Sequence, residues 1–213
     1  MKLLPMQLPI KDYERAFRVM HAVLNGVGST PEKSCVFFAM VGSYVLNRYC
    51  GVAASAVAGT ALYRLDDNDD RVAFVGGMRD GSPYSDESNF HMWVQTKSHI
   101  IDFQAPLFRE AFADQVTTFT IPRLMFQRGM NEDCNGAFKR AGDFAHYPNP
   151  ELSEKLINEN LGRSDMVDLL QLCGNWFQRS PRPIAPRIPL ISNDGINKVI
   201  PLSPIRLTAA WGR

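Results

Sequence analysis

From Ser34 to about Tyr49 the chain carries Cys35, Val36, Phe37, Phe38, Ala39, Met40, Val41, Tyr44, Val45 and Leu46. A helix over this stretch is apolar nearly all round, and a helix without a polar face belongs in the middle of a fold. Other layers must therefore pack on it from more than one side. The chain has the material for this: of its 213 residues, 45% are hydrophobic and 10% aromatic. A chain of this length buries roughly 70% of its unfolded surface on folding, so its core needs no metal or disulfide staple.

Ahead of that helix, Tyr13, Phe17, Met20 and Leu24 recur at three- and four-residue steps, one apolar helix face with Gly26 as its expected C-cap. Thr30 and Pro31 supply an N-cap and a first helical position for the apolar helix. After Gly51 the texture changes. Val52–Leu65 and Arg71–Met78 read as strands around an acidic turn, Asp66–Asp70, in which Arg71 and Gly77 replace the glycine and glutamate that a calcium loop needs. Phe90–Gln95 and His99–Gln104 form a strand pair about Thr96-Lys97. Thr117–Phe126 and Ala137–His146 are weaker strand candidates, while Glu151–Asn160 and Asp165–Phe177 read as helices. Helices followed by an antiparallel sheet predict an α+β fold. The expected organisation is one domain over residues 1–179, and a proline-rich arm over 180–213 that packs on the body or stays partly disordered.

Lys and Arg number 23 against 22 Asp and Glu, so there is no net basic field for a nucleic-acid partner. No apolar run approaches the ~20 residues that span a bilayer, which speaks against a membrane partner. Pro5, Lys11 and Asp12 interrupt what would be the apolar region of a signal peptide. Four dispersed cysteines, 35, 50, 134 and 173, fit reduced thiols and a cytoplasmic location. Oligomeric state has no sequence signature here.

Three positions carry candidate chemistry. Cys35 opens the buried helix, where unpaired N–H groups and the helix dipole favour a thiolate; a packed structural cysteine is the plainer reading of it taken alone. In a hairpin with a two- or four-residue loop, Val94 faces His99 and His91 faces Asp102, their Cβ atoms roughly 4.5–5.5 Å apart. Asp102 then fixes the orientation of the His91 ring, and Trp93, on the same face, shields the pair from water. A three-residue loop moves Asp102 to the opposite face. Among the other histidines, His21 lies beside the apolar stripe of the first helix, His99 faces away from His91, and His146 precedes Tyr147-Pro148 in an expected loop. No zinc-spaced cysteine pair, phosphate-cradling glycine loop or Gly-x-Ser-x-Gly elbow occurs.

These residues resemble a known superfamily. Cys35-Val-Phe-Phe38-Ala39 is similar to the start of the nucleophile helix in bacterial transglutaminase-like proteins. Gly51-Val52-Ala-Ala54-Ser-Ala-Val57-Ala-Gly59 resembles the entry to their first core strand, and His91-Met-Trp93-Val94 with Ile101-Asp102 resembles their His and Asp strands. The likeness spans about residues 34–105. Lys33-Ser34 stand where the family often has glycine, and Phe103 where it often has proline. The resemblance implies a papain-like fold, in which the cysteine-bearing helix packs on an antiparallel sheet that carries His and Asp. It implies Cys35 as nucleophile, His91 as acid and base, and Asp102 as the group that orients it. It further implies attack on an amide or peptide substrate through a thioester, with neither cofactor nor metal. Hydrolysis, acyl transfer to an amine, and an inactive binding or scaffold role remain as alternatives. The Arg-Gly-Gly run of arylamine acetyltransferases is absent before Cys35.

Overall fold

The computed structural model describes residues 4–68, 72–116, 119–191, 195 and 197–212. α1 (Ile10–Gly26) buries Tyr13, Phe17, Met20 and Leu24 along one face. Gly26 remains the last helical residue, and the left-handed turn falls instead at Gly28, with φ +74°. Thr30 and Pro31 start a short 3-10 turn (Pro31–Lys33), while α2 (Cys35–Val45) has Ser34 as its N-cap and runs into a π-helical turn (Leu46–Cys50). α2 is buried from Phe37 to Gly42 without a break. Gly42 is what lets it lie so close to the sheet. A Cβ there would sit 2.4 Å from the Phe103 ring and 2.9 Å from Val94, closer than packed carbon atoms approach.

The strands follow as β1 (Ala54–Arg64), β2 (Val72–Val75), β3 (Gly77–Arg79), β4 (Ser82–Tyr84), β5 (His91–Thr96) and β6 (His99–Asp102). After them come α3 (Phe108–Ala111), β7 (Leu124–Gly129), β8 (Phe144–Pro148), α4 (Pro150–Leu161) and α5 (Ser164–Trp176). β9 (Arg187–Ile191), β10 (Asn197–Pro201) and β11 (Ala209–Ala210) complete the chain. The main sheet runs β11-β7-β6-β5-β1-β2, with β8 also paired to β1. It is a mixed sheet, because β11 joins β7 in parallel while its other pairs are antiparallel. The protein is therefore α+β.

Several expectations are corrected. The strands expected at 117–126 and 137–146 lie further along, at Leu124–Gly129 and Phe144–Pro148. In the acidic turn, Asp69, Asp70 and Arg71 fall outside the described residues, as do Thr117 and Thr118. The β5–β6 register is also different. Val94 faces Ile101 rather than His99, and the connection is Lys97-Ser98. Thr96 Oγ accepts the His99 N–H at 2.9 Å, so this side chain closes the turn one residue later than composition indicates. Moving the turn by one residue moves the register by two, which preserves the faces. His91 and Asp102 become diagonal neighbours on the same face instead of a directly opposed pair.

Alternation along β5 and β6 divides the core in two. Met92, Val94 and Ile101 pack with α1, α2, α4 and α5 in one cluster. Trp93 and Ile100 pack with Tyr63, Phe108, Phe112, Phe126, Phe144 and Trp211 in the other. Described residues beyond 180 pack on the body. Arg18 donates to the Ser203 carbonyl, Ile200 is buried against Gly26, and β11 brings Trp211 into the second cluster.

Candidate active site

α2 places Cys35 at its first turn, half-buried, on the rim of a cleft of about 250 Å³ that His91 also lines. No side chain caps the N-terminus of α2, because the Ser34 hydroxyl turns back to donate to the Thr30 carbonyl at 2.8 Å. The helix start is thus left facing the cleft with its N–H groups uncapped, the arrangement that favours negative charge.

His91 opens β5, and its Nε2 lies 2.7 Å from Asp102 Oδ2 at the end of β6, both residues being at most 3% exposed. Burial pushes the His91 ring towards the neutral form. The Asp102 charge and hydrogen bond, with a smaller contribution from Cys35, outweigh that and raise its pKa. Since Nε2 is engaged by Asp102, Nδ1 is the ring nitrogen left for the sulfur. Asp102 is likewise pushed up by burial but ends below its usual range, because His91, Tyr63 and the Gln104 N–H all stabilise the carboxylate. Each partner thus favours the charged form of the other. Burial raises the other thiols, Cys50 to about 11, with Cys134 and Cys173 also shifted upward.

The cluster extends further than the sequence pattern indicates. Tyr63, from β1, donates its hydroxyl to Asp102 Oδ2 at 2.8 Å. A phenol has one proton, so the 3.0 Å contact between Tyr63 Oη and His146 Nε2 must be donated by the imidazole. His146 is thus the Nε2–H tautomer, with its Nδ1 unpaired among the described residues. Burial, and then the His91 charge, lower its pKa to about 3, so it stays neutral. It lies on β8 and not in a loop, and its ring is 4.4 Å from Trp93, which in turn stacks 6.4 Å from His91. Trp93 is 1% exposed and seals this side of the pair.

Gln104 ties the halves together. Its N–H donates to Asp102 Oδ1 at 2.9 Å, and its side chain donates to the Glu32 carbonyl, at 2.6 Å, in the turn before Cys35. Tyr13 of α1 donates to the Asp102 carbonyl and stacks on Phe103 at 4.7 Å. Strand alternation could have brought Tyr63 to notice, since it shares a face with Val57 and Ala61. His146 could not have been found without the register that sets it opposite Ala61. His21 sits apart, against Asn25, and His99 is on the other face of β6, bonded to Ser98. Among the described residues no three His, Cys, Asp or Glu side chains gather to hold a metal, and no helix is long and apolar enough to cross a membrane.

The chain is an α+β protein in which a cysteine shares a cleft with a histidine, itself bonded to an aspartate, at one end of the central strands of a mixed sheet. Residues 9–211 match the family described as protein of unknown function, DUF2026, and the chain belongs to that family. A solved crystal structure described as that of a genomics target is similar over 99% of this chain and 100% of its own, with a TM-score of 0.82 and 26% identity. No curated protein matches the sequence.

Proposed function

We propose that this protein is a cysteine-nucleophile hydrolase of the papain-like, transglutaminase-like kind, acting on an amide. The observation that carries the reading is the buried 2.7 Å His91–Asp102 hydrogen bond on a cleft that Cys35 shares. In this reading the Cys35 thiolate adds to the carbonyl carbon, and the carbonyl π pair moves to the oxygen. The Cys35 backbone N–H at the uncapped helix start is one donor for that oxyanion, a contribution typically worth about 10²–10³ in rate. On collapse the carbon–nitrogen bond breaks and the His91 proton passes to the leaving amine, leaving a thioester. His91, now neutral, takes a proton from water as water attacks, which returns the thiolate and releases the acid. Asp102 keeps the ring oriented throughout and favours its charged form.

Iodoacetamide at pH 6 tests this. Ordinary thiols are almost wholly protonated there, so Cys35 should be alkylated on the order of 10²-fold faster than glutathione, an unburied thiol. His91→Ala should remove the excess. Labelling of Cys35 no faster than that of glutathione would favour a scaffold role on the same fold.

A further inference from the structure

With Cys35 read as the nucleophile, the walls of the cleft bear on the substrate it takes. Away from the sulfur and the imidazole, the lining is Phe74, Val75, Phe90, Phe108, Ala111 and Phe112. Of the two glutamines that also reach it, Gln115 is committed through both amide atoms and Gln104 through its side-chain nitrogen. Gln115 is bonded through both amide atoms to the Phe74 backbone, at 3.0 and 3.1 Å, which pins β2 as one wall. The Gln104 amide donates to Glu32. Glu32 and Lys33 at the mouth carry opposite charges and so give the cleft no single sign. Phe108 and Phe112 are 1% and 2% exposed. They are held 5.0 Å from each other, and Phe108 lies 4.7 Å from the Tyr63 ring, so this wall is part of the core and already formed.

A charged or strongly polar acyl chain laid against Phe90, Phe108 and Phe112 would lose water there and meet side chains with no donor or acceptor. An apolar cavity of about 150 Å³ takes up benzene. The 250 Å³ here holds one ring together with the atoms that join it to a carbonyl at the sulfur. We propose that the acyl half of the substrate is a small, uncharged aromatic group, of benzoyl or phenylacetyl size, presented as an amide. Selection then operates on the acyl side, before the carbon–nitrogen bond breaks, and the leaving amine departs towards the mouth.

The test compares alkylation of Cys35 by N-benzyl-2-iodoacetamide and by iodoacetamide, each rate divided by that of glutathione. Either reagent forms a sulfur–carbon bond and expels iodide, so only recognition differs between them. The expected ratio at Cys35 is at least tenfold in favour of the benzyl reagent. Ala111→Trp, which fills the cleft, should bring that ratio towards one. Saturation-transfer NMR reads the cleft without the sulfur's chemistry: N-methylbenzamide should show transfer from the protein and N-methylacetamide none. A ratio near one with fast iodoacetamide labelling overturns the aromatic selectivity and leaves the nucleophile standing. Slow labelling by both reagents with N-methylbenzamide still bound sinks the nucleophile and supports the selectivity. Slow labelling with no bound amide overturns both.

Discussion

The two faces of the central sheet are built on opposite terms, although the same strands supply them. On the helical side, Met92, Val94 and Ile101 meet an apolar α2, and the close approach of Gly42 to Phe103 and Val94 is carbon on carbon. On the other side, aromatic rings enclose His91, Asp102, Tyr63 and His146, hydrogen-bonded in series. The first face is held by burial, which tolerates approximate shapes. The second is held by specific donor–acceptor pairs, and stranding one member of such a buried pair costs more than the pair contributes. β5 serves both, since alternate residues point opposite ways. The dry face fixes the strand, and the strand in turn fixes His91.

The largest expected effect separates the two faces directly. Asp102→Ala strips the acceptor from His91, Tyr63 and the Gln104 N–H together. Removing one partner of a buried ion pair typically costs about 3–5 kcal/mol, read here by urea unfolding. Met92→Ala, on the helical face, should cost about 2–5 kcal/mol through the cavity it leaves. The two differ in what else they change. Met92→Ala should leave selective alkylation of Cys35 in place, whereas Asp102→Ala should abolish it. Loss of labelling in both would mean that the faces are not separable.

This division also decides what can be read from the chain alone. The helical face announces itself in the spacing of Tyr13, Phe17, Met20 and Leu24 and in the unbroken apolar run after Cys35, because burial writes itself into periodicity. The proximity of His91 and Asp102 is accessible through parity, which survives a two-residue error in register. Tyr63 and His146 are not accessible in the same way. Their contact depends on β8 pairing with β1 across more than eighty residues, and the local signal for β8 is so weak that composition places the strand several residues too early. The carboxy-terminal arm is legible only in part, for a related reason. Its prolines mark it as non-helical, but only the long-range pairing of β11 with β7 makes Trp211 part of the core.

The next effect is on stability against pH. The His146 pKa is lowered in the folded state to about 3, so its contribution is complete above its unfolded value of about 6.5 and is lost as pH falls from there towards 3. In that window the unfolded chain holds one more proton there, and stability should drop by about 1.4 kcal/mol per pH unit. His91 has the opposite sign. Its pKa is raised, so its contribution is complete below about 6.5 and is lost as pH climbs through the raised value. Urea unfolding from pH 4 to 9 should therefore show the acid limb flattened in His146→Gln and the alkaline limb flattened in His91→Gln. An acid limb that persists unchanged in His146→Gln would place its origin in another group.

The smallest effect tests whether the far end of the series is support or chemistry. Tyr63→Phe deletes one hydroxyl, leaving Asp102 Oδ2 with His91 alone and the His146 N–H without an acceptor. The expected cost is about 1–3 kcal/mol, the usual penalty for stranding a buried donor. In a double-mutant cycle with His146→Gln the losses should fall short of additive by about 0.5–3 kcal/mol, because each substitution removes a partner of the other. Cys35 alkylation should slow by less than tenfold, since the 2.7 Å bond that orients His91 is untouched. A loss of labelling as deep as that of His91→Ala would move Tyr63 out of the scaffold and into the proton-handling group. The polar series would then act as one unit from the sulfur to His146.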